Sequence, residues 1–197
     1  ISSNTATLDG GGVRLWYSNA TLLDNTIVYN TAENRGGGLG LQGSAATIIS
    51  NTVMHNAATQ YYGGGLYLYQ SPANLSYNTI ISNTAKEGGG VFLWSSSTDL
   101  NGNTITANTA QWGGGLYVYL SDGATLSGNT ISFNTVPNSG GGAYIYESAA
   151  TFNNNTITAN TARWGSGAFI DESAATFNNN TITANTAQWG GGLYVYL

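Results

Sequence analysis

Residues 103–120 read Asn-Thr-Ile-Thr-Ala-Asn-Thr-Ala-Gln-Trp-Gly-Gly-Gly-Leu-Tyr-Val-Tyr-Leu, and the identical stretch returns at residues 180–197. Residues 148–162 likewise return at 173–187. Outward from this segment, glycine triplets begin at Gly10, Gly36, Gly63, Gly88, Gly113, Gly140 and Gly190, with Gly-Ser-Gly at Gly165. Asn-Thr-Ile, once Asn-Thr-Val, begins at Asn25, Asn51, Asn78, Asn103, Asn129, Asn155 and Asn180. A second Asn follows five residues later, at Asn30, Asn56, Asn83, Asn108, Asn134, Asn160 and Asn185, and Asn4 holds that place in the first copy. Self-similarity at a period of about 26 residues is the mark of a solenoid.

Length variation is concentrated in one place in the repeat. Triplet to Asn-Thr-Ile is 15 residues, except for one 16, where a single extra residue falls at Asp122-Gly123. Second Asn to triplet is 5, 6 or 7. Fixed length marks paired structure and variable length a solvent-facing turn.

After the glycines the sequence alternates. One column holds Val13, Leu39, Leu66, Val91, Leu116, Ala143, Ala168 and Leu193; another, two residues on, holds Leu15, Leu41, Leu68, Leu93, Val118, Ile145, Ile170 and Val195. Between and after them lie Tyr67, Phe92, Tyr117, Tyr144, Phe169 and Tyr194, then Trp16, Tyr69, Trp94, Tyr119, Tyr146 and Tyr196. Period-2 alternation predicts aliphatics on one face and aromatics on the other. A second strand is expected to point Ala20/Leu22, Ala46/Ile48, Ala73/Leu75, Ala124/Leu126, Ala150/Phe152 and Ala175/Phe177 inward. A third carries Ile27, Val53, Ile80, Ile105, Ile131, Ile157 and Ile182.

Such strands bury their faces only by stacking on their own copies. The expectation is an all-β, right-handed single-stranded parallel β-helix with three short strands per rung and seven to eight rungs. It forms one domain over residues 1–197. At ~4.8 Å per rung the rod is roughly 35 Å long. The Asn columns are expected to be structural ladders, because stacked amides bond from rung to rung and Asn tolerates left-handed turn geometry.

Composition narrows the function classes. Charged residues are only 7%, glycines number 28 and the formal net charge is −5. Four basic residues, Arg14, Arg35, Lys86 and Arg163, cannot track a phosphate backbone, so nucleic acid is not an expected partner. No apolar run approaches the ~20 residues of a membrane helix. With no cysteine there is no disulfide, thiolate metal site or cysteine nucleophile. No cofactor is expected.

The pattern Ile-x-x-Asn-Thr-Ala-x-x-Gly-Gly-Gly-Leu resembles the paired FxxN and GGA(I/L/V) motifs of polymorphic outer membrane proteins and related bacterial surface β-helix repeats. Ile105, Asn108, Gly113, Gly114 and Leu116 carry it, as do Ile157, Asn160, Gly165 and Ala168. It departs in having Ile for Phe and a third Gly for Ala. The resemblance covers essentially the whole chain. It implies a secreted or surface-displayed passenger, often adhesive, and transfers no catalytic residue.

Among candidate sites the aromatics come first. Tyr67, Tyr69, Phe92, Trp94, Tyr117, Tyr119, Tyr144, Tyr146, Tyr194 and Tyr196 are candidates for ligand or rod contact, since Tyr and Trp platforms bind sugar rings and mark interfaces. They also stabilise strands simply by stacking on their copies. Trp112, Trp164 and Trp189 precede the triplets and are expected to cover the bend, or to serve as contacts. Glu147 and Glu172 share a column, with Asp171 beside the latter. At ~4.8 Å such carboxylates have the spacing of a retaining glycosidase pair, and clustered oxygens are a weak Ca²⁺ candidate. His55, the only histidine, shares a column with Tyr29, Ser82, Ala107 and Phe133 and is expected to be incidental. Asn19, Asn74, Asn154 and Asn179 begin N-x-[ST] sequons.

The expectation for function is a non-catalytic structural segment of an extracellular fibre, sheath or adhesin. It would be a rigid uncharged rod that self-associates end to end or side by side, because neither end shows a polar cap. The alternative is a carbohydrate-binding or carbohydrate-cleaving, pectin-lyase-like β-helix with surface glycans as partners. A third class is an ice-binding solenoid, suggested by the rows Thr104-Ile-Thr106, Thr156-Ile-Thr158 and Thr181-Ile-Thr183. That column is broken by Val28, Met54, Ile81 and Ser132.

Overall fold

The computed structural model describes residues 1–197. The chain is a parallel β-solenoid with no helix, so no helix is long and apolar enough to cross a membrane. Successive turns build three parallel sheets of eight, seven and seven strands, and the two-residue strands Thr5–Ala6, Thr31–Ala32 and Ala57–Ala58 of the first turns add a small fourth sheet. The first sheet holds the four-residue strands after the glycines, from Val13–Trp16 to Leu193–Tyr196. The second runs from Thr21–Leu23 to Thr176–Asn178, and the third from Thr26–Val28 to Thr181–Thr183. Registers are those of the repeat, so that Leu66 pairs with Val91, Val91 with Leu116 and Leu116 with Ala143.

Because every rung presents the same alternation, the inward aliphatics form one continuous core of 28 buried residues. Leu41, Leu68, Leu93, Val118 and Ile145 form one fully buried row, and Ile27, Val53, Ile80, Ile105 and Ile131 another. Phe152 and Phe177 stack inside the rod with centroids 4.5 Å apart.

Corners are where a solenoid must leave the ladder, and buried side chains take over there. Asn56 donates from its backbone N–H and from Nδ2 to Oδ1 of Asn83, at 3.0 and 3.1 Å. Its Nδ2 also donates to the Ile27 carbonyl at 2.9 Å. Its own Oδ1 accepts the same pair of bonds from Asn30. All the hydrogen-bonding capacity of this buried amide is used. The column of Asn51, Asn78, Asn103 and Asn129 repeats the arrangement at the preceding corner.

A third ladder, not anticipated from the sequence, is made of serine. The Ser71 N–H donates to Ser96 Oγ at 3.1 Å, Ser96 to Ser121 at 3.0 Å and Ser121 to Ser148 at 3.0 Å. Each hydroxyl donates to the carbonyl two residues earlier, as Ser96 Oγ does to Trp94. The fixed Ser after the aromatic strand was its only signal.

One expectation is corrected. The ladder asparagines do not themselves take left-handed angles; the residue before each one does. Tyr29, His55, Ser82, Ala107, Phe133 and Ala159 have φ of 54–56°. Asp24, Ser50 and Tyr77 do the same before the other Asn column, and Gln70, Ser95 and Leu120 before the serines. The ladder residue must aim its side chain along the rod, so the bend falls on its predecessor. That conformation costs an L-residue roughly 1–2 kcal/mol, and the stacked hydrogen bonds hold it in place.

Candidate functional site

On the outer face of the first sheet side-chain identity changes markedly from rung to rung. Three outward columns run along it. The inner one is Arg14, Gly40, Tyr67, Phe92, Tyr117, Tyr144, Phe169 and Tyr194. The outer one is Trp16, Gln42, Tyr69, Trp94, Tyr119, Tyr146, Asp171 and Tyr196. The third belongs to the turn before the glycines, where Arg35, Tyr62, Glu87, Trp112, Ser139, Trp164 and Trp189 form single bridges from rung to rung.

That turn folds back over the strand it leads into. At Gly63, φ is 66°, and a Cβ there would lie 2.3 Å from the Leu66 carbonyl oxygen and 2.9 Å from Tyr67 Cα. Only glycine lets the backbone come this close. Gly65 serves a different end: a Cβ would sit 2.5 Å from the Gly90 carbonyl and 3.1 Å from Nδ2 of Asn83, so its bareness makes room for the Asn ladder. The middle position of the triplet accepts serine once, at Ser166, whose hydroxyl donates to the Asn160 carbonyl.

The fold-back roofs the inner column, and a second expectation is corrected here. Tyr67 and Phe92 are 1% and 2% exposed and cannot meet a ligand or another rod. Tyr62 stacks on Phe92 at 4.6 Å, and the row continues through Tyr117 at 4.8 Å and Tyr144 at 4.7 Å. The Arg35 guanidinium lies 5.4 Å from the centre of the Tyr67 ring. Burial pushes the Tyr67 hydroxyl up to about 12, and that hydroxyl has no hydrogen-bond partner. Burial also raises Tyr117, Tyr62 and Glu87.

Tyr69, Trp94, Tyr119 and Tyr146 in the outer column are half-buried, with neighbouring centroids 5.3, 5.7 and 5.3 Å apart. Trp164 and Trp189 stack at 5.5 Å in the turn column, with Arg163 over the Trp164 ring at 4.2 Å. Trp112, in the same column, bridges Glu87 and Ser139.

Where Ser139 interrupts the tryptophans, a cleft of about 280 Å³ opens, lined by Ser139, Trp164, Phe169, Asp171, Tyr194 and Tyr196. Asp171 accepts a hydrogen bond from the Tyr144 hydroxyl. Burial first, and that bond second, raise the Tyr144 hydroxyl above its ordinary value. Ser139 and Phe169 were not among the sequence candidates; the gap in the Trp column was the available sign.

The three carboxylates fall in two columns. Asp171 stands in the outward column, while Glu147 and Glu172 occupy the following left-handed corner positions at φ 46° and 45°. No group of three such side chains is placed to hold a metal ion, so the Ca²⁺ candidate is not assembled. His55 is an exposed corner residue stacked on Tyr29 at 5.1 Å. The threonine rows lie on the open face of the third sheet, where the Thr158 and Thr183 hydroxyls are 3.2 Å apart. The four sequon asparagines, Asn19, Asn74, Asn154 and Asn179, are all exposed.

No curated protein and no solved structure matches the chain. The family model described as right-handed beta helix region matches residues 1–110 and again 89–197. With the parallel three-sheet coil and its stacked core, that match places this chain in the right-handed beta helix family.

Proposed function

We propose that the chain is a non-catalytic structural segment of an extracellular fibre, sheath or adhesin. Its repeats are read as those of the polymorphic outer membrane protein type. The observation that carries this reading is the unbroken side-chain laddering: buried amides join Asn30 to Asn56, Asn83, Asn108, Asn134 and Asn160, and serines do the same from Ser44 to Ser148. Every rung is fastened to the next at its corners and through a filled core. Such a coil transmits length and stiffness rather than enclosing a reaction chamber. A charged fraction of 7% suits a rod that packs beside copies of itself.

Electron microscopy with immunogold labelling of the source cells tests it. Label on surface filaments or rods with a ~4.8 Å axial repeat is the expected result. Confinement of the protein to the soluble cell interior would overturn it.

A second reading is favoured by the half-buried column of Tyr69, Trp94, Tyr119 and Tyr146, whose rings offer sugar-sized platforms along the rod. A glycan array probed with the wild type and with Tyr119→Ala decides it. Saturable binding that the variant loses supports glycan recognition; binding that survives removes the platform.

A further inference from the structure

We propose that the cleft at Ser139 and Asp171 is a binding site for a quaternary ammonium group of the choline type. The inference does not rest on the rod reading. Two departures from the repeat coincide here. In the turn column Ser139 stands between Trp112 and Trp164, so the roof lacks a large side chain over this rung. In the outer column Asp171 stands between Tyr146 and Tyr196, so a carboxylate replaces a ring. Phe169 and Tyr194 make the floor. Phe169 is stacked between Tyr144 at 5.1 Å and Tyr194 at 5.2 Å, so it turns its apolar edge to the cleft, and the ring faces left for a cation are those of Trp164 and Tyr196. Trp164 and Tyr196 complete an aromatic lining around one acid.

Ring faces attract cations that approach within ~6 Å of their centres, most strongly at Trp. The Arg163 guanidinium, 4.2 Å from Trp164 and 5.5 Å from Trp189, shows these indoles already taking a cation. Arg163 does not line the cleft, which leaves the opening free. Asp171 has no basic partner, since the chain's one salt bridge joins Arg14 and Asp9. Tyr144 donates to Oδ2 of Asp171 and holds the carboxylate in place, while Oδ1 makes no hydrogen bond within the chain.

Several cations could balance that charge, and the lining selects among them. A primary ammonium brings three donors and a tight hydration shell that aromatic carbon cannot replace. A trimethylammonium group brings a spread charge with a methyl surface, which the rings cover without leaving a donor unpaired. A neutral sugar would satisfy the rings and leave the carboxylate uncompensated. The cleft volume of 280 Å³ lies just below the range of drug-sized sites and suits a small head group. The net charge of −5 favours a cationic ligand at long range.

The test is calorimetric titration of the whole chain with choline chloride. The uncharged carbon isostere, in which a tert-butyl group replaces the trimethylammonium, serves as comparison at equal ionic strength. Saturable choline binding, at least about tenfold tighter than the isostere, is expected. Asp171→Asn should weaken it by about tenfold or more, and Ser139→Trp, which extends the existing Trp column, should abolish it. Circular dichroism checks that both variants keep the β-solenoid. Equal binding of choline and isostere, no saturable choline binding, or full binding by Ser139→Trp would each overturn the proposal. Binding of a neutral oligosaccharide in this cleft without choline binding would overturn it too, in favour of glycan recognition.

Discussion

The outer faces of the first and third sheets start from the same strand alternation and end in different environments. On the third sheet Thr52, Thr79, Thr104, Thr130 and Thr156 point away from the core and are half-exposed, with nothing laid over them. On the first sheet the equivalent outward residues Tyr67 and Phe92 are as buried as the core, because the turn before the glycines returns across the strand. Alternation therefore decides which side chains leave the aliphatic core. Whether they meet water is decided by where the next segment of backbone goes.

That contrast is sharpest at the glycines. Gly63 and Gly128 have nearly the same positive φ, 66° and 64°, but a Cβ on Gly63 meets the strand below while one on Gly128 meets nothing within 4 Å. Gly63→Ala should combine the left-handed penalty with overpacking and cost about 2–5 kcal/mol. Gly128→Ala should cost only about 1–2 kcal/mol. Equal losses in urea melts would mean that the roof is not in close contact with the strand.

Asn83 secures the root of that roof, packed against Gly65 and accepting from both nitrogens of Asn56. Replacing it with Ala removes the acceptor of the Asn56 N–H and of one Nδ2 hydrogen, and takes a donor from the Val53 carbonyl and from Asn108 Oδ1, which keeps only the bond from the backbone N–H of residue 83. A loss of about 3 kcal/mol is expected, against about 1 kcal/mol for Ser96→Ala, which strands a single N–H of Ser71. Comparing the two melting curves ranks the ladders.

Under the roof, Tyr67 carries a buried hydroxyl with no partner. Tyr67→Phe should be neutral or stabilising by about 1 kcal/mol. Its pH signature follows from the raised value of about 12. Between the ordinary tyrosine value near 10 and that value, the unfolded chain releases the proton and the folded one keeps it. Stability is thus full below the ordinary value and falls as pH rises through this window. Tyr67→Phe should flatten that decline in alkaline denaturation followed by circular dichroism.

The smallest effect belongs to the open face. Thr156→Ser on the third sheet should change stability by no more than about 0.5 kcal/mol. A larger loss would show that the threonine array contributes more than strand propensity.

Much of this was legible beforehand because the chain repeats. Register, strand positions, inward aliphatics and both Asn ladders follow from columns in phase, since a residue type held at one place over seven rungs reports one environment. The serine ladder was equally periodic, but a lone Ser in a strand-to-turn step carries no chemistry that distinguishes it from an ordinary turn residue. The left-handed positions were illegible for the opposite reason. Tyr29, His55, Ala107 and Phe133 have nothing in common as side chains, because the corner constrains their backbone and leaves their side chains in solvent.

The sequence alone determined the parallel coil, its period, its core and its amide ladders, all of which arise from stacking each residue on its own copy. Only the tertiary structure decided which aromatics are covered, and that the gap at Ser139 and the carboxylate of Asp171 face one cleft. Those residues lie 32 positions apart on neighbouring rungs. They meet because the glycine turn brings one segment back across another, a relation that no repeat column records.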